Sequence, residues 1–430
     1  MNGVDLAATT SALRSGALAL EELLDQLELD FETRDAKLHA FVPEADRFDR
    51  IRRDAEALLA RFPAVDSRPP LFGVPVGIKD IFHVEGFPTA AGSRLPPEAL
   101  AGDEAKVVSQ LRDAGVLIVG KTATTEFAYF APARTKNPHD PAHTPGGSSS
   151  GSAAAVAAGL CPLTVGTQTI GSISRPASYC GVVGYKPSYD RVSRDGVIPL
   201  APSVDHVGFF ALEVAGVERV AAVVCDAWTP VYEDRRPVLG IPGGPYLRRA
   251  ESDARSLFRS VCKRLVAAGY KVMRVDAMDD FEGVEVRHRA IVAAEAARVH
   301  ARWWERFQDL YHPKTAQLIE EGLKISDSEL QTALVGCESL RDELESLRQT
   351  ASVDLWISPA APGAAPHGLD STGDPIMNLP WSHCGLPTLA IPAGTGAEGL
   401  PIGLQVAGGW RQDERLFGWC RDLERVLAAE

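Results

Sequence analysis

From Thr144 to Gly159 the chain carries no side chain larger than valine: Thr-Pro-Gly-Gly-Ser-Ser-Ser-Gly-Ser runs directly into Ala-Ala-Ala-Val-Ala-Ala-Gly. A helix made from Ser152 to Gly159 has no bulk to hold its neighbours away, so the run predicts a central helix packed against other backbone. The glycines and serines ahead of it bring N–H groups close to whatever lies above them. Three kinds of structure use such a run. A phosphate loop needs lysine and then serine or threonine after its second glycine, and here Gly151 is followed by Ser152 and Ala153. A nucleophile elbow is formally matched by Gly147-Ser-Ser-Ser-Gly151, with Ser149 as nucleophile. Its required strand is missing, because His139 to Pro145 is polar and proline-bearing. The third is a glycine turn capped by serine.

The surrounding texture is α/β. Between Leu71 and Phe210, short apolar runs (Val74–Ile78, Val116–Val119, Leu163–Val165) alternate with helical or glycine-rich segments, which predicts a sheet layered between helices. Residues 1–65 read as a helical front piece, with Leu20, Leu23, Leu24 and Leu27 at helical spacing. Residues 235–350 read as an α/β and helical cap: strands at Val238–Ile241 and Lys271–Val275, an amphipathic helix at Ser252–Ala268, then long helices through Arg348. Sheet texture returns at Val353–Ser358 and Thr388–Pro392, and a last helix spans Asp413–Leu427. With no repeat or low-complexity linker, residues 1–430 are expected to form one domain containing the cap.

A net charge of −13 argues against an extended nucleic-acid surface, which needs a dense basic footprint. No membrane span is expected: the longest apolar stretch, Val207–Cys225, is broken by Glu213, Glu218 and Arg219. The first residues carry Asp5, Glu21, Glu22, Asp25 and Glu28, unlike a targeting peptide. Seven scattered cysteines without a C-x-x-C pair fit reduced thiols, hence a cytoplasmic location and no structural metal.

A second segment, Gly166-Thr-Gln-Thr-Ile-Gly-Ser-Ile-Ser-Arg-Pro-Ala177, follows the strand-like Leu163–Val165 and sets Ser172 after a glycine. Its N–H groups from Thr169 to Ser172 are arranged either as an oxyanion hole or as a buried turn. Together, Gly146–Gly159 and Gly166–Pro187 resemble the two halves of the amidase signature. The resemblance extends to Phe72-Gly-Val-Pro-Val-Gly-Ile-Lys-Asp80, Ala114-Gly-Val-Leu-Ile-Val-Gly-Lys-Thr122 with Glu126 and Phe127, Gly385-Leu-Pro387, and Leu400-Pro-Ile-Gly-Leu-Gln405. It implies a large mixed twisted sheet sandwiched between helices, with a variable helical cap. It also implies Ser172 as nucleophile, Ser148 as bridging serine, Lys79 as base, and Thr169, Ile170, Gly171 and Ser172 as the oxyanion hole, with no metal or organic cofactor. A lysine serves as base only when burial or a neighbouring cation lowers its pKa. His83, His206 and His383 are expected to pack or bond locally.

Most members of that family read G-T-D-T-G-G-S-I-R, whereas this chain has Gln168, Ile170 and Ser174 at three of those places. Loss of an acid together with a base is what a coupled pair would show. Arg175 stands one place later, an arrangement similar to malonamidase-like members. That likeness implies Gln168 and Arg175 as substrate-binding residues, with the guanidinium holding a substrate carboxylate. A structural arginine bonding backbone carbonyls is the other reading. The expected activity is hydrolysis of a small polar or carboxylate-bearing amide or ureido compound. The expected partner is that small molecule, with no nucleic acid or membrane, and a homodimer left open. The A subunit of a glutamyl-tRNA amidotransferase and a noncatalytic amidase-like binding protein are the alternatives.

Overall fold

A computed structural model describes residues 5–396 and 398–429. Ten strands form one mixed sheet: β1 (Pro75–Lys79), β2 (Leu117–Thr122), β3 (Leu163–Gln168), β4 (Val183–Lys186), β5 (His206–Ala211), β6 (Val238–Pro242), β7 (Lys271–Val275), β8 (Leu355–Pro359), β9 (Thr388–Thr395) and β10 (Pro401–Ala407). Their spatial order is β2-β1-β3-β5-β4-β9-β10-β8-β6-β7. Both ends are parallel, β1 pairing with β2 and β3, and β6 with β7 and β8. The middle, from β3 through β8, is antiparallel. Strands buried on both faces need continuous apolar sequence, and β1, β2 and β3 are buried along their whole length.

The small-residue helix, Ser150–Ala157, lies against β1 and β3 and is buried along nearly its whole length. Its glycine is required by close approach: a Cβ on Gly151 would stand 2.1 Å from the Ala40 carbonyl oxygen and 2.5 Å from the Ala123 nitrogen. This crowding explains the absence of bulk in the sequence. At one end of the sheet, the helices Leu6–Ser15, Leu20–Asp30 and Arg47–Arg61 bury Leu13, Leu24, Leu27 and Ile51 in the main core. At the other, β6 and β7 extend the sheet, joined by the helix Ser252–Ala267. Of three further helices, Phe281–Phe307 packs on both Pro313–Gly322 and Asp327–Thr350, and its Ile291 and Ala294 cluster with Leu200, Val204 and Ile170 beside the Ser172 segment. Among the described residues no helix is long and apolar enough to cross a membrane.

Candidate functional site

Strand β1 delivers Lys79 to the middle of the protein, where the residue is 0 % exposed. Its Nζ lies 2.7 Å from Ser148 Oγ, 3.0 Å from Ser149 Oγ and 2.8 Å from Thr167 Oγ1. Burial pulls the amine well below its usual pKa, against a weaker pull upward from Asp205. Asp205 is itself buried and raised by desolvation. It accepts from Thr169 Oγ1 at 2.5 Å and from the backbone N–H groups of Leu200 and Ala201.

Ser148 and Ser149 have different surroundings although they are neighbours. Ser149 is buried, donates its proton to the Thr167 carbonyl at 3.1 Å and accepts from the Thr167 N–H at 3.3 Å. Its hydroxyl belongs to the β3 junction, so the nucleophile-elbow reading of Gly147–Gly151 fails. Ser148, which follows a cis peptide bond from Gly147, has Lys79 Nζ as its hydroxyl's partner among the described residues.

Ser172 stands on the loop between β3 and the helix Ser174–Cys180. It is 7 % exposed, and its Oγ makes no hydrogen bond to protein among the described residues. The backbone N–H groups of Thr169, Ile170, Gly171 and Ser172 likewise have no protein acceptor there. Gly171 is fixed by space, since an added Cβ would meet Asn378 Oδ1 at 2.5 Å and Pro375 Cβ at 2.8 Å. Ile170 keeps a negative φ, so its branched side chain imposes no strain in a place where relatives carry glycine. Ser148 and Ser172 are brought into the same cluster of segments without a direct hydrogen bond.

Gln168 is placed differently from its expected role. The side chain is 0 % exposed: Oε1 accepts from the Ile173 and Ser174 N–H groups at 2.8 and 2.9 Å, and Nε2 donates to Ser382 Oγ at 2.9 Å. Ser382 Oγ in turn donates to the Ile170 carbonyl at 2.8 Å. Gln168 is therefore turned into the protein and splints the loop that carries Ser172, a neutral residue where the amidase-signature pattern has an acid. Ser174 is buried beside Thr388 and leaves no cation that would need that acid. Gln168→Ala would strand two buried N–H groups and take away the donor to Ser382 Oγ, and is expected to lower the unfolding free energy by about 3 kcal/mol. Urea unfolding checks this, and a loss under about 0.5 kcal/mol would contradict the splint.

Arg175 is also buried. Nη1 donates to the Gly373 carbonyl at 2.9 Å, and Nη2 to the Gly147 carbonyl at 2.6 Å and Thr372 Oγ1 at 3.1 Å. It ties the loop before Ser148 to the segment beside Gly171, in the carbonyl-bonding arrangement. Its Nε has no partner, no carboxylate among the described residues forms an ion pair with it, and burial brings its pKa down to about 10. Next to this segment a cavity of about 440 Å³ is lined by Tyr129, Arg289, Lys314, Leu318 and Thr372–Pro375. Another of about 470 Å³ reaches Thr167, Thr169 and Asp205 from a different side.

The three histidines near these segments bond elsewhere. His206 Nδ1 faces the Gln168 and Val204 carbonyls, His383 Nδ1 lies 3.3 Å from His288 Nδ1, and His83 Nδ1 faces Thr89 Oγ1. Sequence reasoning missed Ser149, Thr167 and Asp205 as neighbours of the lysine. The alternation of β3 offered one signal for Thr167, because Val165 and Thr167 share a face.

The chain also aligns with known proteins over nearly its full length. The A subunit of the glutamyl-tRNA(Gln) amidotransferase of Synechococcus sp. (strain RCC307) is 31% identical over 96% of this chain and 95% of its own. A solved structure of an amidase superposes with a TM-score of 0.89 at 31% identity, covering 97% of this chain and 99% of the other. A chain from a structure described as a vestigial protein complex that reveals the evolutionary origins of an s-triazine catabolic enzyme gives 0.86 at 27% identity, over 99% and 98%. The family model described as Amidase matches residues 20–417, and with this mixed sheet between helices the chain belongs to the amidase family, enzymes that act on C–N amide bonds.

Proposed function

We propose that this amidase hydrolyses a small amide through a Ser172, Ser148 and Lys79 triad and an acyl-enzyme. The observation that carries the reading is the fully buried Lys79 amine, 2.7 Å from a Ser148 hydroxyl that has no other protein partner among the described residues. A neutral amine has two N–H donors and one lone pair. Ser149 gives its own proton to Thr167, so it must accept from the amine, and Thr167 Oγ1 takes the second N–H. The lone pair is left for the Ser148 proton, which sets the direction of transfer.

Ser172 Oγ then attacks the substrate carbonyl carbon while its proton passes to Ser148 and that of Ser148 to Lys79. The contact between the serines closes as substrate is bound, a common tightening of catalytic hydrogen bonds. The uncommitted N–H groups from Thr169 to Ser172 receive the negative charge that develops on the carbonyl oxygen. Collapse expels the amine, which takes a proton back along the relay, and water releases the acid by the same route.

The finer reading is a malonamidase-like specificity for amides bearing a carboxylate. Arg175, buried and without an acidic partner among the described residues, acts here through its field while its Nη groups hold the loops. Arg289 and Lys314 line the cavity with Glu321, which pairs with Arg289 at 2.9 Å, so Lys314 is the cation there without an acidic partner among the described residues. Arg289 and Lys314 come from residues 235–350, which supports reading that segment as the variable cap of a single amidase domain fronted by residues 1–65. In a matched pair of small primary amides, the carboxylate-bearing one is expected to show a kcat/KM about tenfold higher. Equal values would remove the anionic specificity while leaving the triad untouched. All seven cysteines are free, in keeping with a reducing, cytoplasmic location.

A second reading, as the A subunit of an amidotransferase, is favoured by the 31% identity to that protein of Synechococcus. Purification from the native host separates the two. Partner proteins or tRNA retained in stoichiometric amount favour the amidotransferase, whereas amide hydrolysis by the isolated chain favours the free amidase.

A further inference from the structure

At the far end of the sheet, β6, the helix Ser252–Ala267 and β7 form a parallel βαβ unit that the amide chemistry does not use. Between that helix and the two strands lies a cleft of about 430 Å³, reached from the strands by Ile241 and Arg274 and from the helix by Arg255, Phe258, Arg259, Cys262 and Lys263. Its floor is apolar, made by Ile241, Leu247 and Phe258. Its rim is basic: Arg248, Arg255, Arg259, Lys263 and Arg274.

Such a concentration is unusual on a chain with a net charge of −13. Neighbouring acids do not cancel it. Arg274 has Asp276 at 3.9 Å, and Arg249, outside the cleft, takes Glu285. The other four rim cations form no ion pair among the described residues. The acids that approach the cleft, Asp276 and Asp279, sit beside the Gly243–Gly244 turn, across from the helix. Arg255, Arg259 and Lys263 recur every four residues along one helix face, a row about 12 Å long. Arg274 stands level with Ile241 in the strand register and brings a further charge from the sheet.

We propose that this cleft binds a phosphorylated small molecule, its apolar body on Ile241, Leu247 and Phe258 and its phosphate among the rim cations. A lone carboxylate is satisfied by one arginine fork, whereas a phosphate dianion with three acceptor oxygens uses several cations at once. The volume suits a small organic body. The site is remote in sequence from Lys79, Ser148 and Ser172 and does not depend on their roles.

Isothermal titration calorimetry on the full chain tests this with 4-methylumbelliferyl phosphate as probe. Inorganic phosphate and 4-methylumbelliferone serve as the charge alone and the apolar body alone. Saturable binding of the ester, about tenfold or more tighter than either part, is expected. The double variant Arg259→Ala/Lys263→Ala, altered at side chains that make no ion pair among the described residues, should keep its Tm and bind the ester about tenfold or more weakly. Ester binding no tighter than inorganic phosphate, undiminished binding in the double variant, or no saturable binding at millimolar ester would each overturn the proposal.

Discussion

Ser172→Ala should lower kcat/KM on any amide that the enzyme turns over by about four orders of magnitude or more, with folding unchanged. Both halves follow from the surroundings of one oxygen. Ser172 Oγ has no protein hydrogen bond among the described residues, so removing it leaves no buried donor or acceptor unpaired. The change in unfolding free energy should stay within about 0.5 kcal/mol. No neighbouring hydroxyl can substitute, since Ser149 is committed to the β3 backbone and Ser148 is engaged with Lys79 as the bridge of the proposed relay. What persists is the residual rate from the N–H groups of Thr169 to Ser172 and from substrate positioning. Labelling with a serine-reactive fluorophosphonate gives a second readout, one adduct in the wild type and none in the variant. A folded variant that hydrolyses amides at the wild-type rate, or still takes up the label, would remove Ser172 from the mechanism.

Much of this neighbourhood is legible in sequence because it is built from short, ordered motifs whose residue types are forced by space. The bulk-free run Ser152–Gly159 announces a helix pressed on backbone, and a side chain on Gly151 would begin 2.1 Å from an atom of another segment. Apolar runs marked β1, β2 and β3 within a few residues, since these strands are buried on both faces. The sheet order was not legible. Antiparallel pairing of β3 with β5, and of β4 with β9, joins segments far apart in the chain, and β4 is only four residues long. The longest apolar stretch, Val207–Cys225, conceals a change of element: most of β5, then a helix at Val214–Val224. Continuous apolarity cannot separate a strand from a buried helix.

Side-chain direction is the other thing that sequence did not carry. Gln168 and Arg175, expected to face a substrate, turn inward because each answers an orphaned backbone group. Gln168 caps the N–H groups that open a helix, and Arg175 caps the carbonyls of Gly147 and Gly373. Nothing in their spacing distinguishes a ligand from a buried backbone partner. The neutral Gln168 and Ser174 pair also shows how a loop can drop an acid and a base together while keeping its geometry: an amide supplies both the acceptor and the donor.

Lys79→Met should reduce kcat/KM by about three orders of magnitude and at the same time flatten the pH dependence of stability. The first effect is loss of the base. The second follows from linkage. In the unfolded chain the lysine holds its proton below about pH 10.4, whereas in the fold burial keeps the amine neutral down to a much lower pH. Within that window the unfolded state binds one more proton than the native state. Wild-type stability therefore falls as pH falls, by about 1.4 kcal/mol per unit from this residue alone, and the fall stops once the buried amine is itself protonated. Methionine does not titrate, so the stability of the variant relative to wild type should rise by that slope as pH is lowered through the window. All other groups cancel in the difference. Activity runs in the same sense, because only a neutral Lys79 can accept the Ser148 proton, and kcat/KM should climb with pH through the depressed pKa and then level off. Urea unfolding of both proteins across the alkaline range, paired with the pH–rate profile of the wild type, measures the two effects independently. A stability difference flat with pH would mean that Lys79 is charged in the fold, and a charged ammonium 2.7 Å from Ser148 could hold that serine in place but could not take its proton.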